Sequence, residues 1–589
     1  MPLITMPKSS ISLNKSEKSV LKKLKHLYLS EASMSYLYIE PKIKNLKPDF
    51  ILIDPLRGVM IIEVKAWSID YIDTINDKEV ISIKGDRLEN PLSKARRYFN
   101  TLQGIFRFYD ALFDKTNTLK IKLHSIIAFT EMKEEEAQNT NITQFFEHYP
   151  ARVLYKDYLT KITLDTLFNN EIEAIQEHLV NTIRIAIFPE IKISKPSEKS
   201  DDFFSDKEIL ALDIEQERFA KSVPLGHYII TGIPGSGKTV ALLSRSIYLA
   251  KLHPEWKILI LTYNKALTSQ LYIKIAKVKE DLKVLDIFIN NIEICTFHQK
   301  ANALSSLSAS QFQDKEAFWR DILPNDAIKQ AKPNYHAILV DEYQDFYSNW
   351  FHLILKLLIE HQEEEKSYKN LFLAGDRLQG IYNPKDINWK QDIGLDMRGR
   401  AKLLKTSYRN TKEHIKFGLS LLSNDKKYKK EVELFYEGAN NILFKNNTKK
   451  SIELLKSDYK GIAELFQTLL KSYTYKDILL LAPTWAKVNM IKRFLPQNIQ
   501  VNINSTKNIS SDKSIFTTYH SAKGIEAKVA IIIDIQSIKE RKLLYVASTR
   551  ASVKLILHIP KNQENTLFSQ EICDLLNPTS TPTYTVKSL

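Results

Sequence analysis

The sequence predicts an α/β protein with a parallel sheet in its larger C-terminal part and an antiparallel hairpin near its N-terminus. An apolar strand pattern at 227–232 runs into a glycine-rich turn and then a helical pattern, as in a unit of a parallel sheet. A second apolar strand pattern, at 337–341, ends in acidic residues. Near the N-terminus, apolar runs at 48–54 and 59–65 surround a turn, which predicts a hairpin.

Size and composition fit a globular protein of several domains. The 589 residues allow three or four domains of about 150 residues each. The hydrophobic share of 44% and the charged share of 26% exclude wholesale disorder and collagen-like or coiled-coil composition. Lys and Arg number 84 against 69 Asp and Glu, and the net charge of +15 points to a polyanion, with nucleic acid as the leading candidate.

Cysteine content and hydropathy indicate the compartment. Two cysteines are too few for a disulfide framework, a four-thiolate zinc site or a four-cysteine iron–sulfur cluster within the chain. The first residues lack the pattern of a secretory signal, and no apolar run reaches the roughly 18 residues of a membrane span. We therefore expect a cytoplasmic protein with no membrane partner.

The glycine-rich turn fits a phosphate-binding loop of the form G-x-x-x-x-G-K-T. Gly232, Gly235 and Gly237 allow a tight turn in which backbone N–H groups and a helix N-terminus face the phosphates. Lys238 would neutralise charge on the β- and γ-phosphates, and Thr239 would ligate magnesium. The strand, loop and helix occur in the order that an ATP site requires.

The acidic strand end supplies the second half of such a site. Asp341 closes the apolar strand and is placed to hold magnesium through water. Glu342 beside it is the candidate general base for the attacking water, because that task requires a carboxylate within hydrogen-bond reach.

With these two motifs, further segments between residues 212 and 551 resemble, in order, the motifs of superfamily-1 helicases of the UvrD/Rep type. They include Leu-Asp-Ile-Glu-Gln at 212–216, Gly-Asp-Arg-Leu-Gln at 375–379 and Thr-Ser-Tyr-Arg-Asn at 406–410. The resemblance implies that the residues contacting nucleotide are Gln216 at the adenine, Gln379, Arg409 and Arg550 at the γ-phosphate, and Glu526 near the ribose.

The same resemblance implies a set of contacts to single-stranded nucleic acid. Its members are Tyr263, Asn264, His298, Tyr382, Trp389 and His520. Many relatives have Gly-Trp-Arg-Gly-Ala after the coupling motif, whereas Tyr382 is followed here by Asn-Pro-Lys-Asp-Ile-Asn. Whether Trp389, Tyr382 or Tyr263 supplies the surface on which a base stacks is therefore open, although such a contact is worth about 1–3 kcal/mol.

The resemblance implies two RecA-like parallel-sheet motor domains that share one ATP. The short interval between Arg409 and the motif at 518–526 leaves no room for the large insertion of full-length relatives, so the motor is compact. The Ser/Pro-rich, charged segment 193–202 predicts a linker. We predict an N-terminal domain over 1–190, a linker over 191–207, motor domains over 208–400 and 401–575, and a flexible tail over 576–589.

The N-terminal hairpin carries a separate group of charged residues. If paired residues have numbers that sum to 112, Asp49 lies opposite Glu63, with Cβ atoms roughly 5 Å apart. Strand alternation then places Lys65 on the same face and Asp54 on the other. Two carboxylates and a lysine on one sheet face can hold a hard cation and orient water against a phosphodiester.

Asp49, Glu63 and Lys65 match D…E-x-K of the PD-(D/E)xK nucleases, and residues 12–130 resemble the NERD variety. Glu17 lies where that family has a helix glutamate, and we predict it as a further metal ligand. Asn90 and Pro91 match the later Asn-Pro of the family. Lys94 is a departure, because the family often has glutamine there.

These resemblances imply an ATP- and magnesium-dependent DNA helicase or translocase joined to a nuclease domain, with Mg²⁺ or Mn²⁺ at the nuclease site. Its partner would be single-stranded or partly duplex DNA, in repair or in defence against foreign DNA, and a protein partner is not identified. One alternative is a motor whose NERD domain is inert and docks DNA or a partner. Another is a nucleic-acid-responsive ATPase switch that unwinds nothing. RNA as the track is not excluded.

Overall fold

The described part of the chain forms two compact units. The computed structural model describes residues 3–6, 13–194, 209–212, 214–284, 289–363, 366–380, 387–436, 443–444, 446, 452–504, 512–538, 540–561, 567–576 and 586–588. Unit 1 comprises Met1–Pro224, Ser244–Pro254 and Lys274–Asn290. Unit 2 comprises Leu225–Leu243, Glu255–Ile273 and Asn291–Leu589.

The sheet of unit 1 is mixed and has six strands in the order β1-β2-β3-β4-β8-β9. A small antiparallel sheet, β5-β6-β7, and the antiparallel pair β10-β11 accompany it. The strands are β1 Leu3–Met6, β2 Ser35–Ile39, β3 Phe50–Asp54, β4 Gly58–Lys65, β5 Ile72–Ile75, β6 Glu79–Ser82, β7 Arg87–Glu89, β8 Leu123–Phe129, β9 Ala151–Leu154, β10 Lys192–Ser194 and β11 Ile209–Ala211.

Helices cover both faces of this sheet. One core joins α1 to Leu52, Met60 and Ile126, and another joins α2 to Ile127 and Phe129. The helices are α1 Lys15–Leu27, α2 Pro91–Phe106, α3 Glu134–Asn139, α4 Lys156–Lys161, α5 Leu164–Leu167, α6 Glu177–Ile187 and α7 Ile214–Ser222.

The predicted hairpin register is confirmed. β3 and β4 are antiparallel, with Phe50 opposite Ile62 and Asp54 opposite Gly58. Asp54 lies on the opposite face from Asp49 and Glu63, where its carboxylate accepts a hydrogen bond of 2.5 Å from the Tyr28 hydroxyl.

The first sheet of unit 2 is entirely parallel, in the order β14-β13-β15-β18-β12-β19. Its inner strands Ile258–Thr262, Ala337–Asp341 and Asn370–Gly375 are buried along their whole length, which explains their continuous apolar sequences. The elements are β12 His227–Gly232, α8 Lys238–Leu252, β13 Ile258–Thr262, α9 Lys265–Val284, β14 Ile292–Thr296, α10 Phe297–Leu304, α11 Lys315–Ala317, α12 Leu323–Gln330, β15 Ala337–Asp341, α13 Ser348–Leu357, β16 His361–Glu363, β17 Lys366–Tyr368, β18 Asn370–Gly375 and β19 Ala401–Leu404.

The second sheet of unit 2 is also parallel, in the order β24-β25-β23-β26-β27-β22-β28. The predicted α/β fold class is confirmed, since a mixed N-terminal sheet is followed by two parallel sheets. The elements are β20 Thr406–Ser407, α14 Lys412–Ser423, α15 Lys426–Tyr436, β21 Leu443–Phe444, β22 Ile452–Ser457, α16 Tyr459–Leu469, β23 Ile478–Ala482, α17 Trp485–Arg493, α18 Gln497–Gln500, β24 Ile503–Asn504, β25 Ser514–Thr518, β26 Ala527–Ile532, α19 Arg541–Ser548, β27 Ala551–Pro560, α20 Leu567–Leu576 and β28 Val586–Ser588.

Three short strands do not fit the domain, linker and tail boundaries that we predicted from the sequence. β19 pairs in parallel with β12, so the first sheet extends past residue 400, where we divided the motor domains. β10 lies in the predicted linker and pairs with β11. β28 lies in the predicted tail and pairs with β22. Edge strands this short add few backbone hydrogen bonds, and their sequences lack a distinctive apolar pattern.

Within the described residues, no helix combines the length and apolar character that crossing a membrane requires.

Candidate functional site

The predicted phosphate-binding loop follows β12. Gly235 and Gly237 have φ values of +73° and +78°, a backbone region that favours glycine. A Cβ on Gly232 would lie 2.9 Å from the Leu404 Cβ, so the close approach of β19 also requires glycine. The Lys238 ammonium donates hydrogen bonds to the carbonyls of Gly232 (2.9 Å) and Ile233 (3.1 Å). The loop thus folds around the lysine at the start of α8.

The carboxylate at the end of β15 is buried. Asp341 is 1% exposed, and burial together with the neighbouring Glu342 raises its pKa to about 7. The Thr239 hydroxyl lies close enough to lower this pKa in part. Oδ2 of Asp341 has no hydrogen-bond partner in the described part of the chain. A buried carboxylate oxygen without a donor, beside a hydroxyl, fits the ligand set of magnesium.

Glu342 has a different electrostatic environment from its neighbour. Burial would raise its pKa, but the cationic Lys523 and Lys238 hold the pKa below its usual value. Its backbone is left-handed, with φ of 54°, and its carboxylate accepts a hydrogen bond from the Gln344 amide. Glu342 is therefore the more readily ionised carboxylate of the pair.

Two arginines of the second sheet region join the residues of the first. Arg550 donates a 2.7 Å hydrogen bond to Oε1 of Gln379, and its Nε donates to the Val546 carbonyl at 2.9 Å. Gln379 in turn donates to Asp376 at 2.8 Å. Both Arg550 and Gln379 are thus fixed by side-chain hydrogen bonds.

Arg409 forms an ion pair with Glu526 and donates a 3.3 Å hydrogen bond to the Thr549 carbonyl. Burial, with repulsion from Arg550, lowers the pKa of Arg409 to about 9. Glu526, predicted near the ribose, therefore lies against the guanidinium. The loop after β20, which carries Arg409, is near the predicted phosphate-binding turn, because the Tyr408 amide donates to the Gly235 carbonyl at 3.0 Å.

Lys523 is a functional candidate that we did not single out from the sequence. Its buried ammonium lies 2.6 Å from Oδ2 of Asp345 and 3.8 Å from Oε2 of Glu342. It also donates a 2.6 Å hydrogen bond to the Gln379 carbonyl. The signal was available, since Lys523 lies inside the motif at 518–526, but no periodicity predicts which distant carboxylates a lysine meets.

Gln216 lies in α7, in unit 1, and is buried. Its neighbour Glu217 belongs to a network of buried charges. Glu217 accepts hydrogen bonds from Tyr38 (3.1 Å), Lys221 (3.0 Å) and Arg184. The role of Gln216 at adenine stays a prediction.

The aromatic candidates for base stacking lie in a core cluster of the first sheet region. Tyr263 stacks on Trp350 with ring centroids 6.1 Å apart, and His298 meets the same ring edge-on at 4.8 Å. Trp389 packs against Phe351 at 5.0 Å. Each ring is partly buried, so part of its surface already packs against the protein.

The remaining predicted contacts are dispersed. Asn264 caps α9, where its Oδ1 accepts a 2.8 Å hydrogen bond from the Leu267 amide. His520 is exposed in a 3₁₀ turn, and Tyr382 lies outside the described residues. Trp319, which we did not predict, is 38% exposed and lies edge-on to His298 at 5.5 Å. It is more exposed than Tyr263, His298 and Trp389, which are each half-buried.

The predicted nuclease residues meet on one face of the unit 1 sheet. Oδ2 of Asp49 accepts a 2.5 Å hydrogen bond from the Val64 amide, and burial and the Glu63 carboxylate raise the pKa of Asp49 to about 7. Glu63 is 1% exposed, and its Oε1 accepts from Lys65 at 2.7 Å and from Lys94 at 2.6 Å. Oε2 of Glu63 has no partner in the described residues. The two carboxylates fit a divalent cation.

Glu17, the third predicted ligand, is used elsewhere. Its Oε2 accepts a 2.9 Å hydrogen bond from the Asn14 amide and its Oε1 accepts from Nδ2 of Asn14 at 2.6 Å, forming a capping box at the start of α1. Over the residues that the structure describes, no group of three or more His, Cys, Asp or Glu is arranged to hold a metal ion. The capping box explains the glutamate without a metal.

Two protein-family models match the chain, one near its N-terminus and one in the region of the first parallel sheet. Residues 12–130 match the model of the nuclease-related domain, and residues 216–385 match the model of an AAA domain. The match over 12–130 confirms the predicted resemblance to the nuclease-related domain, and the AAA match falls within the region predicted to bind ATP.

Individual relatives share only parts of the chain. A stretch of 111 residues is 32% identical to one subunit of the ATP-dependent helicase/nuclease of Listeria welshimeri, covering 18% of this chain and 8% of that protein. A crystal structure of Arterivirus nonstructural protein 10 (helicase) is 14% identical, with a TM-score of 0.29, over 57% of this chain and 60% of that one. A structure of PRRSV helicase is 12% identical, with a TM-score of 0.27, over 57% and 53%. The chain thus spans less than two thirds of each relative.

Proposed function

We propose that this protein is an ATP-dependent DNA helicase or translocase whose N-terminal domain cleaves DNA, acting in repair or in defence against foreign DNA. The observation that carries the motor assignment is the set of cations around Glu342, since Lys523, Lys238 and Arg550 all lower its pKa and Arg550 also bonds Gln379. The net charge of +15 is consistent with a polyanionic track.

The proposed ATPase site would use magnesium, whose positive charge would offset the negative charge of the phosphates. Thr239 and Asp341 would hold it, and Lys238 would neutralise the β- and γ-phosphates. Glu342 would accept the proton of the attacking water, a role that its lowered pKa supports. Arg409 and Arg550 would stabilise charge on the γ-phosphate.

In the proposed nuclease site, Asp49 and Glu63 would hold a divalent cation that activates water. Lys65 lies on the same face and would orient that water and stabilise charge on the phosphodiester. A DNA-docking role without cleavage is the second candidate. The observation in its favour is Lys94, which already contributes a positive charge at Glu63.

The deciding experiment is cleavage of end-labelled single- and double-stranded DNA with Mg²⁺ or Mn²⁺, with and without ATP. We expect Lys65→Ala to abolish cutting and to leave DNA-stimulated ATP hydrolysis intact. We expect Lys238→Ala to abolish ATP hydrolysis and strand displacement. The exposed Lys84 offers a matched control in the N-terminal domain, and Lys84→Ala should change neither activity.

Each part of the proposal has its own contrary result. Cutting that persists in Lys65→Ala would remove the nuclease assignment. No cutting in the parent, with ATP hydrolysis intact, would favour the docking module. ATP turnover without translocation or strand displacement would favour the ATPase switch.

A further inference from the structure

The carboxylate of Glu63 holds two lysines on a single oxygen. The ammonium groups of Lys65 and Lys94 lie 2.7 Å and 2.6 Å from Oε1, and both are within charge-assisted hydrogen-bond distance. Lys65 reaches it along β4, and Lys94 reaches it from α2. Oε2 of the same carboxylate has no partner in the described residues. One side of the carboxylate is thus doubly occupied.

Lys94 is held in this position by the local structure. Asn90 caps α2, its Oδ1 accepting a 2.8 Å hydrogen bond from the Leu92 amide, and Pro91 begins the helix. The stem of Lys94 passes Tyr98, with the ammonium 5.7 Å from the ring centroid. The Lys94 side chain is only 28% exposed. These contacts distinguish it from a solvated surface lysine.

This geometry determines the balance of charge around Glu63 and Asp49. With Lys65 and Lys94 in place, two positive charges face the carboxylates of Glu63 and Asp49. A divalent cation brought to the same carboxylates would lie close to the Lys94 ammonium in a partly buried site, where repulsion between like charges is weakly screened. Cation and ammonium therefore compete for Glu63.

We propose that Lys94 is an internal counter-ion that must leave Glu63 before this site binds a divalent cation. The inference rests on the proposed nuclease role of the site and adds a residue that limits metal affinity. Loading with metal then requires the Lys94 side chain to turn away, so the domain binds metal weakly at rest.

The test is Mn²⁺ binding, followed by the paramagnetic resonance signal of free Mn²⁺, without DNA or nucleotide. The full chain carries Asp341→Asn in every sample, to remove the proposed motor ligand. Lys94→Gln and Lys94→Met should each tighten binding about tenfold or more, because both remove the charge. Lys94→Arg keeps the charge and should bind like the parent. Arg97→Gln removes one charge from the exposed side of the same helix and should also match the parent.

The outcomes separate the counter-ion from other roles. Adding Glu63→Gln to Lys94→Met should abolish the tightened binding, which assigns it to this carboxylate. Tighter binding in Lys94→Gln but not in Lys94→Met would mean that the new amide is a metal ligand, and it would overturn the proposal. Unchanged binding in both variants would also overturn it. Thermal melting checks that each variant is folded. A site that tightens as expected yet never cuts DNA would sustain the counter-ion and remove the nuclease function.

Discussion

Lys523 shows how one buried cation can connect several parts of a site. It lies against Asp345, near Glu342, and on the backbone of Gln379. These residues come from segments that are far apart in sequence. A change at Lys523 should therefore act on the ionisation of Glu342 as well as on packing.

We predict that Lys523→Met moves the acidic limb of the ATPase pH profile to higher pH. Lys523 is the leading influence that lowers the pKa of Glu342 against burial, so its removal raises that pKa. A general base must be deprotonated, and its activity is then lost at a higher pH than in the parent. The pH dependence of kcat for DNA-stimulated ATP hydrolysis measures this. Lys528→Met, which removes a lysine paired with Asp477 at 3.5 Å, is the control. An unmoved acidic limb would count against Glu342 as the base.

We predict that Arg550→Ala lowers kcat for ATP hydrolysis by about 10³-fold, the lower end for an arginine that stabilises transition-state charge. The KM for ATP should change little if the contact forms mainly in the transition state. Because Arg550 is buried, Arg550→Lys serves as a second variant that keeps the charge and loses the fork that reaches both Gln379 and Val546. Steady-state kinetics with thermal melting separate catalysis from folding. Wild-type turnover in either folded variant would contradict the role.

At the scale of elements, the sequence predicted the structure correctly where the alternation of side chains along a strand or the residues of a turn determined it. The β3–β4 register followed from strand alternation around a short turn, because a one-residue slip would reverse every side chain. The phosphate loop followed from glycines whose φ values only glycine readily adopts. The pairing of β19 with β12 did not follow, since an edge strand of this kind carries no pattern of its own. We predicted Glu17 as a metal ligand, but its carboxylate completes a capping box with Asn14 three residues earlier.

We predict that Glu17→Gln leaves both folding stability and Mn²⁺ binding unchanged. Glutamine also completes a capping box at this position, so the start of α1 stays satisfied. Asn14→Ala removes the cap itself and should cost about 1 kcal/mol of unfolding free energy. Denaturant unfolding and the Mn²⁺ titration measure the two effects. A clear loss of Mn²⁺ affinity in Glu17→Gln would restore the metal role.

At the scale of the whole molecule, unit 1 contains a network of buried charges drawn from separated segments. Glu190 accepts a 3.0 Å hydrogen bond from Lys251 and lies 3.7 Å from Lys221. Lys221 also bonds Glu217, which holds Arg184. Charged residues spread over this much sequence look like ordinary surface residues, so no local pattern predicts such a network. Only the tertiary structure reveals it.

We predict that Glu217→Ala destabilises unit 1 by about 3–5 kcal/mol, because it leaves the buried Arg184 without its carboxylate and removes one of the two carboxylates beside Lys221. Glu89→Ala breaks an exposed ion pair with Arg97 and should cost less than about 1 kcal/mol. Denaturant unfolding of the full chain, followed by a probe in the N-terminal domain, compares the two. Equal effects would mean that the network contributes no more than a surface pair.

The course of α8 has a consequence for domain shuffling. Lys238 and Thr239 belong to unit 2, whereas the same helix from Ser244 onward belongs to unit 1 with α7. A recombination joint between residues 195 and 208 would keep Glu217, Lys221 and Lys251 on its C-terminal side and would remove Arg184 and Glu190 with the N-terminal segment. Exchange of that domain by a single crossover would therefore leave buried charged residues of the recombinant chain without their ion-pair partners. The two halves are expected to be inherited together, as one cistron without interchangeable modules.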